Sequence, residues 1–399
     1  MRTSYLVIFL LIPIFSFAQS FNINQGSVKK PGYFTKIEYQ NVKEKLIVNA
    51  QIRKKTYRFI LDTGAPTMIS KAVFEELGLT VIQSLPIRDA NGRPDSLMVA
   101  NLSEISLGGV EFNDVPALVS RDQMIFDCFK VDGFIGSNLL RNSILSISSK
   151  DHQITLTDQI ELLKPNKKQS ADLVLNKAQR SPYINIKIKK SKSASAMVLF
   201  DSGMEGLYDV ALKHYELLAK ENIFTVLAKS NGSSTISLNG VGSDTLQYRL
   251  LLPELNINGT LLKNVISHTT ASENSRVGAQ LLQYGIVTLD YLNKKFYFEA
   301  FENDVDVFKA LYPLAVTIKD NKLVAGIIWD PKLMDKIKTN DQILKVDGKD
   351  VSKINTCEFI TGNSIFEGRD KVILTIKNSQ GEIEQLEVKR SNFQDIKAQ

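Results

Sequence analysis

Tyr57-Arg58-Phe59-Ile60-Leu61-Asp62-Thr63-Gly64-Ala65 is the stretch whose reading decides the fold, and Met197-Val198-Leu199-Phe200-Asp201-Ser202-Gly203-Met204 repeats its pattern. Each is an apolar run that ends in a carboxylate, then a small hydroxyl residue, then glycine. A short apolar run bounded by a turn signal reads as a buried strand. An aspartate at the end of such a strand stands where water is scarce. The hydroxyl can fix the turn by side-chain hydrogen bonding, and the glycine permits a close approach that a Cβ would block. One such triplet is a common turn signal and carries little weight. Two copies behind matching strands raise a sharper question, whether the chain contains one unit twice.

Working outward from the two aspartates answers it. Eight residues beyond each stand Ser70 and Asp209, both N-cap residue types, opening helix-like stretches at Lys71 to Leu77 and Val210 to Lys220. Gly92 and Gly232 follow 30 and 31 residues after their aspartates, in Ala-Asn-Gly and Ser-Asn-Gly, which read as hairpin tips. Gly109 precedes Val115 by the same six residues that separate Gly259 from Val265. Phe134-Ile135-Gly136 and Arg276-Val277-Gly278, each followed by a Leu-Leu pair, end 74 and 77 residues past their aspartates. Five anchors in one order at nearly constant offsets make two copies of one unit.

This arrangement resembles the pepsin/retropepsin superfamily of aspartic peptidases, over roughly residues 32 to 300. The resemblance rests on Asp62-Thr63-Gly64-Ala65, Asp201-Ser202-Gly203 and the two later segments that end at Gly136 and Gly278. It implies an all-β body of two homologous closed β lobes whose active carboxylates meet at the lobe interface. The lobes are expected at 32–157 and 173–302, joined by a polar linker at 158–172. Two positions depart from the family pattern: Met204, where Ser, Thr or Ala is usual, and Arg276, which breaks the double-apolar pair before Gly278.

Residues 313–393 change character. A strand at Leu323 to Trp329 is followed by Asn340-Asp341-Gln342-Ile343-Leu344-Lys345-Val346-Asp347-Gly348, a helix from about Asn355, and strands at Val372 to Ile376 and Ile383 to Val388. The segment resembles a PDZ domain of the bacterial permuted kind, which implies a small α/β unit with a peptide tail as its candidate ligand. Asn340 replaces the usual glycine, and the turn at Lys319 to Lys322 is short where that family's Gly-rich loop is expected.

Composition sets the remaining bounds. The chain has 399 residues, 43% hydrophobic and 23% charged, ordinary for a globular protein with real cores. Met1 to Ala18 reads as a signal peptide: Arg2, an apolar core at Leu6 to Phe17, and Ser16-Phe17-Ala18 as a cleavage site. The run is too short for a membrane span, so export to a bacterial periplasm or medium is expected, with residues 19–31 a loose lead-in. The net charge of +6 comes from scattered lysines rather than one basic face with interleaved aromatics, which argues against nucleic-acid binding. Cys128 and Cys357 fall in different expected units without metal-ligand spacing; two free buried thiols are the expectation, a bridge between them the alternative. His152, His214 and His268 are isolated in sequence.

Two carboxylates sharing a sheltered site cannot both ionise cheaply, so the pair holds one proton over a broad pH range. The ionised member can take a proton from water and the protonated one can give a proton to a carbonyl oxygen. Asp62 and Asp201 are therefore the expected catalytic pair of an aspartic endopeptidase, with Thr63 and Ser202 tying the turns together and Gly64 and Gly203 letting them approach. Gly92 and Gly232 mark candidate flaps over a polypeptide substrate. Neither metal nor cofactor is required, and a monomer is expected. The alternative is a non-catalytic peptide-binding scaffold on the same fold.

Overall fold

The computed structural model of the protein describes residues 21–89, 92–121, 123–237 and 240–392. The expected signal peptide lies outside the described residues. The chain is mostly β, 52% strand against 13% helix. The two aspartate strands sit in the same local pattern. Lys55–Asp62 pairs antiparallel with Lys45–Ile52 and parallel with Gly133–Gly136, so that Asp62 stands opposite Gly136. Ser193–Asp201 pairs antiparallel with Pro182–Lys189 and parallel with Arg276–Gly278, so that Asp201 stands opposite Gly278. The short strands Met68–Ile69 and Tyr208–Ala211 repeat the match, each antiparallel to the glycine strand and parallel to a long outer strand. The apolar runs before each aspartate explain this. Phe59, Leu61 and Phe200 are wholly buried, and strands flanked on both edges need near-continuous apolar sequence.

A six-stranded sheet joins the two halves. Phe34–Glu38, Ile144–Ser148 and Gln153–Thr157 come from the first half; Ser170–Asp172, Gly285–Asp290 and Lys295–Ala300 come from the second. The seam is the antiparallel pairing of Ile144–Ser148 with Gly285–Asp290. Leu145, Ile147, Val287 and Leu289 are fully buried there and belong to one continuous core. The stretch 158–172, expected as a plain linker, is thus pinned at its end, where Ser170–Asp172 pairs with Lys295–Ala300. The described part of the lead-in is also tied down rather than loose. Ser27–Val28 pairs with Val110–Val119, and the buried Asn138 and the Arg141 guanidinium hold the carbonyls of Ile23, Gln25 and Gly26.

The C-terminal segment builds a second core around Leu323, Ile343, Leu374 and Leu386. Its strands Leu314–Lys319, Lys322–Ile328, Gln342–Val346, Lys371–Lys377 and Ile383–Lys389 surround a helix, Thr356–Thr361, capped by a reciprocal Asn355–Glu358 box. This unit touches both halves. Against the second, Thr225–Gly232 meets Lys322–Ile328 in a pairing of Gly232 with Ile327, and the Ser233 amide donates to the Gly326 carbonyl at 3.2 Å. Gly232 is therefore not a hairpin tip. It has φ +152°, and the space of its missing Cβ is filled by the Gly326 carbonyl. The hairpin turns later, between Ile236–Ser237 and Gly240–Val241, where a second Asn-Gly pair stands and Gly240 has φ +84°. Against the first half, Cys128 of the helix Met124–Phe129 forms a disulfide with Cys357 of Thr356–Thr361. The expectation of two free thiols is corrected: the two helices pack directly on each other and bring Cys128, buried, against Cys357, half-buried. No helix among the described residues is long and apolar enough to cross a membrane.

Candidate active site

Asp62 and Asp201 end corresponding strands in separate sheets of the two halves, and their turns interlock. The Thr63 amide donates to Ser202 Oγ at 3.0 Å, and the Ser202 amide donates to Thr63 Oγ1 at 3.0 Å. Each hydroxyl passes its own proton across the interface. Thr63 Oγ1 donates to the Phe200 carbonyl at 2.7 Å, and Ser202 Oγ donates to the Leu61 carbonyl at 2.8 Å. Both side chains are wholly buried, so four bonds made without water hold the two turns in register. The glycines then face the opposite carboxylates. A Cβ on Gly64 would lie 2.5 Å from Asp201 Cγ, and one on Gly203 would overlap the Asp62 carboxyl in the same way. The sequence pairs Asp62 with Asp201, Thr63 with Ser202 and Gly64 with Gly203, and the structure brings all six together.

The two carboxylates do not have equal surroundings. Asp62 Oδ1 accepts from the amides of Gly64 and Ala65 at 2.9 and 3.0 Å. Burial, then the nearby Asp201 charge, push the Asp62 carboxyl up from 3.8 to about 7, against the pull of Lys45 and the two amides. Asp201 Oδ1 accepts from the Gly203 amide at 3.0 Å, while its Oδ2 faces Arg276 Nη1 at 3.4 Å. The Met204 amide, at the place equivalent to Ala65, donates to the Asp201 backbone carbonyl at 3.1 Å, where the Ala65 amide is shared between the Asp62 carbonyl at 3.4 Å and its carboxylate.

Arg276 is held from behind by Asp209. Its Nη2 donates to Asp209 Oδ2 at 2.5 Å and its Nε to the same oxygen at 3.1 Å, while its backbone amide reaches Asp209 Oδ1 at 3.1 Å. Asp209 is thus not a helix cap. The helix Leu212–Leu218 begins after Ala211, and the carboxyl turns inward to a buried guanidinium. Ser70, by contrast, does cap Lys71–Glu76, accepting the Val73 amide. Burial draws the Arg276 guanidinium down, but the Asp209 and Asp201 carboxylates outweigh it, and the net direction is upward. Asp209 is itself pushed up by burial.

Three further side chains that sequence reading missed support the site. Lys45 Nζ donates to the Gly203 carbonyl at 2.5 Å and lies 3.5 Å from Glu205, tying the first half to the second beside Asp62. Ser137 Oγ donates to the Thr63 carbonyl at 2.6 Å, and Gln179 Nε2 to the Gly64 carbonyl at 2.7 Å. Only Ser137 had a sequence signal, as the residue after Phe134-Ile135-Gly136.

A cleft of about 690 Å³ opens above the pair. Its first-half wall is largely apolar, including Ile60, Met68, Ile87 and Phe134; its second-half wall carries Asn176, Gln179, Ser272 and Asn274. The hairpin of Val81–Arg88 with Pro94–Leu107 borders it, and Gly92, with φ +75°, lies at its turn against the Ala271 carbonyl. On the other side it is Ile236, not Gly232, that reaches the cleft. None of the three histidines lines it. His214 bonds Ser275 Oγ, His268 packs on Trp329, and His152 lies edge-on to Tyr39.

No curated protein matches the chain. Residues 48–139, which hold Asp62-Thr63-Gly64 and Phe134-Ile135-Gly136 but not Asp201, match a family model described as aspartyl protease. That similarity supports a peptidase function for the chain in general.

Proposed function

We propose that the protein is an exported aspartic endopeptidase of the pepsin/retropepsin kind, with two lobes on one chain at 32–157 and 173–302 and a PDZ-like unit at 313–393. The observation that carries this reading is the reciprocal fit of Gly64 on the Asp201 carboxyl and Gly203 on the Asp62 carboxyl. Two acids brought this close, in a site whose turns are locked by Thr63 and Ser202, share one proton. A water held between them loses a proton to the ionised member as its oxygen bonds the carbonyl carbon of a peptide. The protonated member gives its proton to the carbonyl oxygen. Collapse of the tetrahedral adduct breaks the C–N bond as the amine takes up the proton first drawn from water, while a hydroxyl of the adduct returns its proton to the other carboxylate and the carbonyl re-forms. The rigid placement of both acids supplies orientation that free carboxylates lack. The disulfide supports export, since such bonds persist in oxidising compartments. The edge strand Leu314–Lys319 and the helix Thr356–Thr361 are the elements between which a PDZ-like unit would take a peptide tail.

Asp62→Asn and Asp201→Asn should each abolish hydrolysis of a mixed peptide library, with thermal melting no lower than wild type. Near-normal turnover by either variant would exclude the shared pair. The scaffold reading draws on one observation, the contact of Arg276 with Asp201 Oδ2, the atom beside which a water must sit. The same digest decides it: peptide bound by the wild type but uncut from acid to neutral pH would favour the scaffold.

A further inference from the structure

The Arg276–Asp209 pair stands where the other half of the molecule has nothing comparable. The position equivalent to Arg276 is Phe134, and that equivalent to Asp209, by strand register, is Met68. A buried guanidinium directly against one carboxyl of a proton-sharing pair breaks the symmetry of the pair. We propose that Arg276, clamped by Asp209, is a positioning residue that fixes the shared proton on Asp62 and leaves Asp201 as the charged member, so that Asp201 acts as base and Asp62 as acid. The proposal rests on the peptidase reading for its mechanistic meaning, but the placement of the proton is a property of the free protein.

Charge count and geometry both support it. The buried cluster holds three carboxyls, Asp62, Asp201 and Asp209, against two cations, Arg276 and Lys45. One proton on the pair balances these five groups, with the exposed Glu205 beside Lys45 left in solvent. Arg276 reaches Asp201 directly at 3.4 Å. Lys45 spends its short contact on the Gly203 carbonyl, and its charge is shared with Glu205. Asp209 opposes the effect of Arg276, but the guanidinium lies between the two carboxylates, and the nearer charge dominates. Tyr183, Tyr208 and Tyr291 also face the cluster, and burial pushes all three phenols up, so they stay neutral; Arg88, Asp89 and Asp95 line the cleft farther out on the hairpin. Lys213 and Glu273 pair with each other in the open, where solvent screens them. The upward direction of Asp62 agrees with a proton resident there.

The test reads the proton directly. Side-chain carboxyl ¹³C shifts of Asp62 and Asp201, assigned with Asp62→Asn and Asp201→Asn, are followed in the window between 3.8 and about 7. The wild type should show an acid-like Asp62 and a carboxylate-like Asp201. In the double variant Arg276→Met/Asp209→Asn, which removes the guanidinium together with the carboxylate that clamps it, the two shifts should converge. The acidic limb of kcat/KM should move up by about one pH unit or more, the effect of losing a contacting opposite charge. An acid-like Asp201 in the wild type overturns the proposal, as does an unchanged shift pattern in a folded double variant. If the double variant does not fold, the wild-type pattern alone decides. Absence of peptide turnover would end the peptidase reading without touching the shifts, so the two ideas fail separately.

Discussion

Asp62 is a carboxyl whose burial has a measurable cost. Its neutral form is favoured in the folded chain up to about 7, against 3.8 in the open. The stability that this difference contributes is full below the unfolded value and is lost as pH rises through about 7. Asp62→Asn, which stays neutral throughout, should therefore melt with the wild type near about pH 4 and above it near about pH 8. Thermal melts across that range check the sign, and a variant advantage confined to acid would contradict it. At this scale the sequence was most legible where chemistry is written in adjacent letters. Asp62-Thr63-Gly64 and Asp201-Ser202-Gly203 announce a carboxylate, a hydroxyl and a missing Cβ, and each finds its use. Arg276 stood out only as a departure from the double-apolar pattern. Its partner Asp209 was hidden, because aspartate is also a good helix cap. Lys45 gave no signal, since its contact with Gly203 spans 158 residues of chain.

Among the elements, the strand on which Gly232 stands links the cleft to the C-terminal unit. The Gly326 carbonyl occupies the Cβ position of Gly232, and the φ of +152° is one that L side chains rarely adopt. Gly232→Ala should weaken this junction by about 1–3 kcal/mol. The sensitive readout is hydrogen exchange at the Ser233 amide, which bonds Gly326. Faster exchange there, with the Asp62 strand unchanged, is the expected outcome; unchanged exchange at Ser233 would mean the junction absorbs the methyl group. The strands before the two aspartates and those of the C-terminal unit were legible from apolar runs and alternation, because burial imposes a pattern on the sequence. The second hairpin was misplaced because the chain offers two Asn-Gly pairs in succession. Only the strand pairing, which sequence does not display, selects the later one.

On the scale of the molecule, three fastenings of the C-terminal unit stand out among the described residues. One is the Gly232–Ile327 pairing, and the second is Arg249, whose guanidinium bonds the Tyr312 carbonyl at 2.8 Å and covers the Trp329 ring at 4.6 Å. The third is the Cys128–Cys357 bridge, which closes a loop across 229 residues of sequence. In the chain-entropy picture, closing a loop of that size stabilises the folded state by about 5 kcal/mol. Cys128→Ser/Cys357→Ser should therefore unfold at distinctly lower denaturant than the oxidised wild type and match the wild type under reducing conditions. Equal midpoints in the oxidised proteins would mean that the other two fastenings suffice. The bridge was not legible because its cysteines lie in units that the sequence presents as separate. The contact between their helices is set only when the whole chain is folded.

The sheet that crosses the seam has a consequence for how a peptide reaches the two acids. Its ladder of backbone bonds between Ile144–Ser148 and Gly285–Asp290 lies in the floor of the molecule, so spreading the halves would tear a continuous sheet. Among the described residues, Val81–Arg88, the outer strand of the hairpin with Pro94–Leu107, ends its sheet and pairs with no strand on its other side. Under the proposed function, admission of a polypeptide would therefore require the hairpin, as a roof, to lift from the Ala271 carbonyl while the floor stays in place.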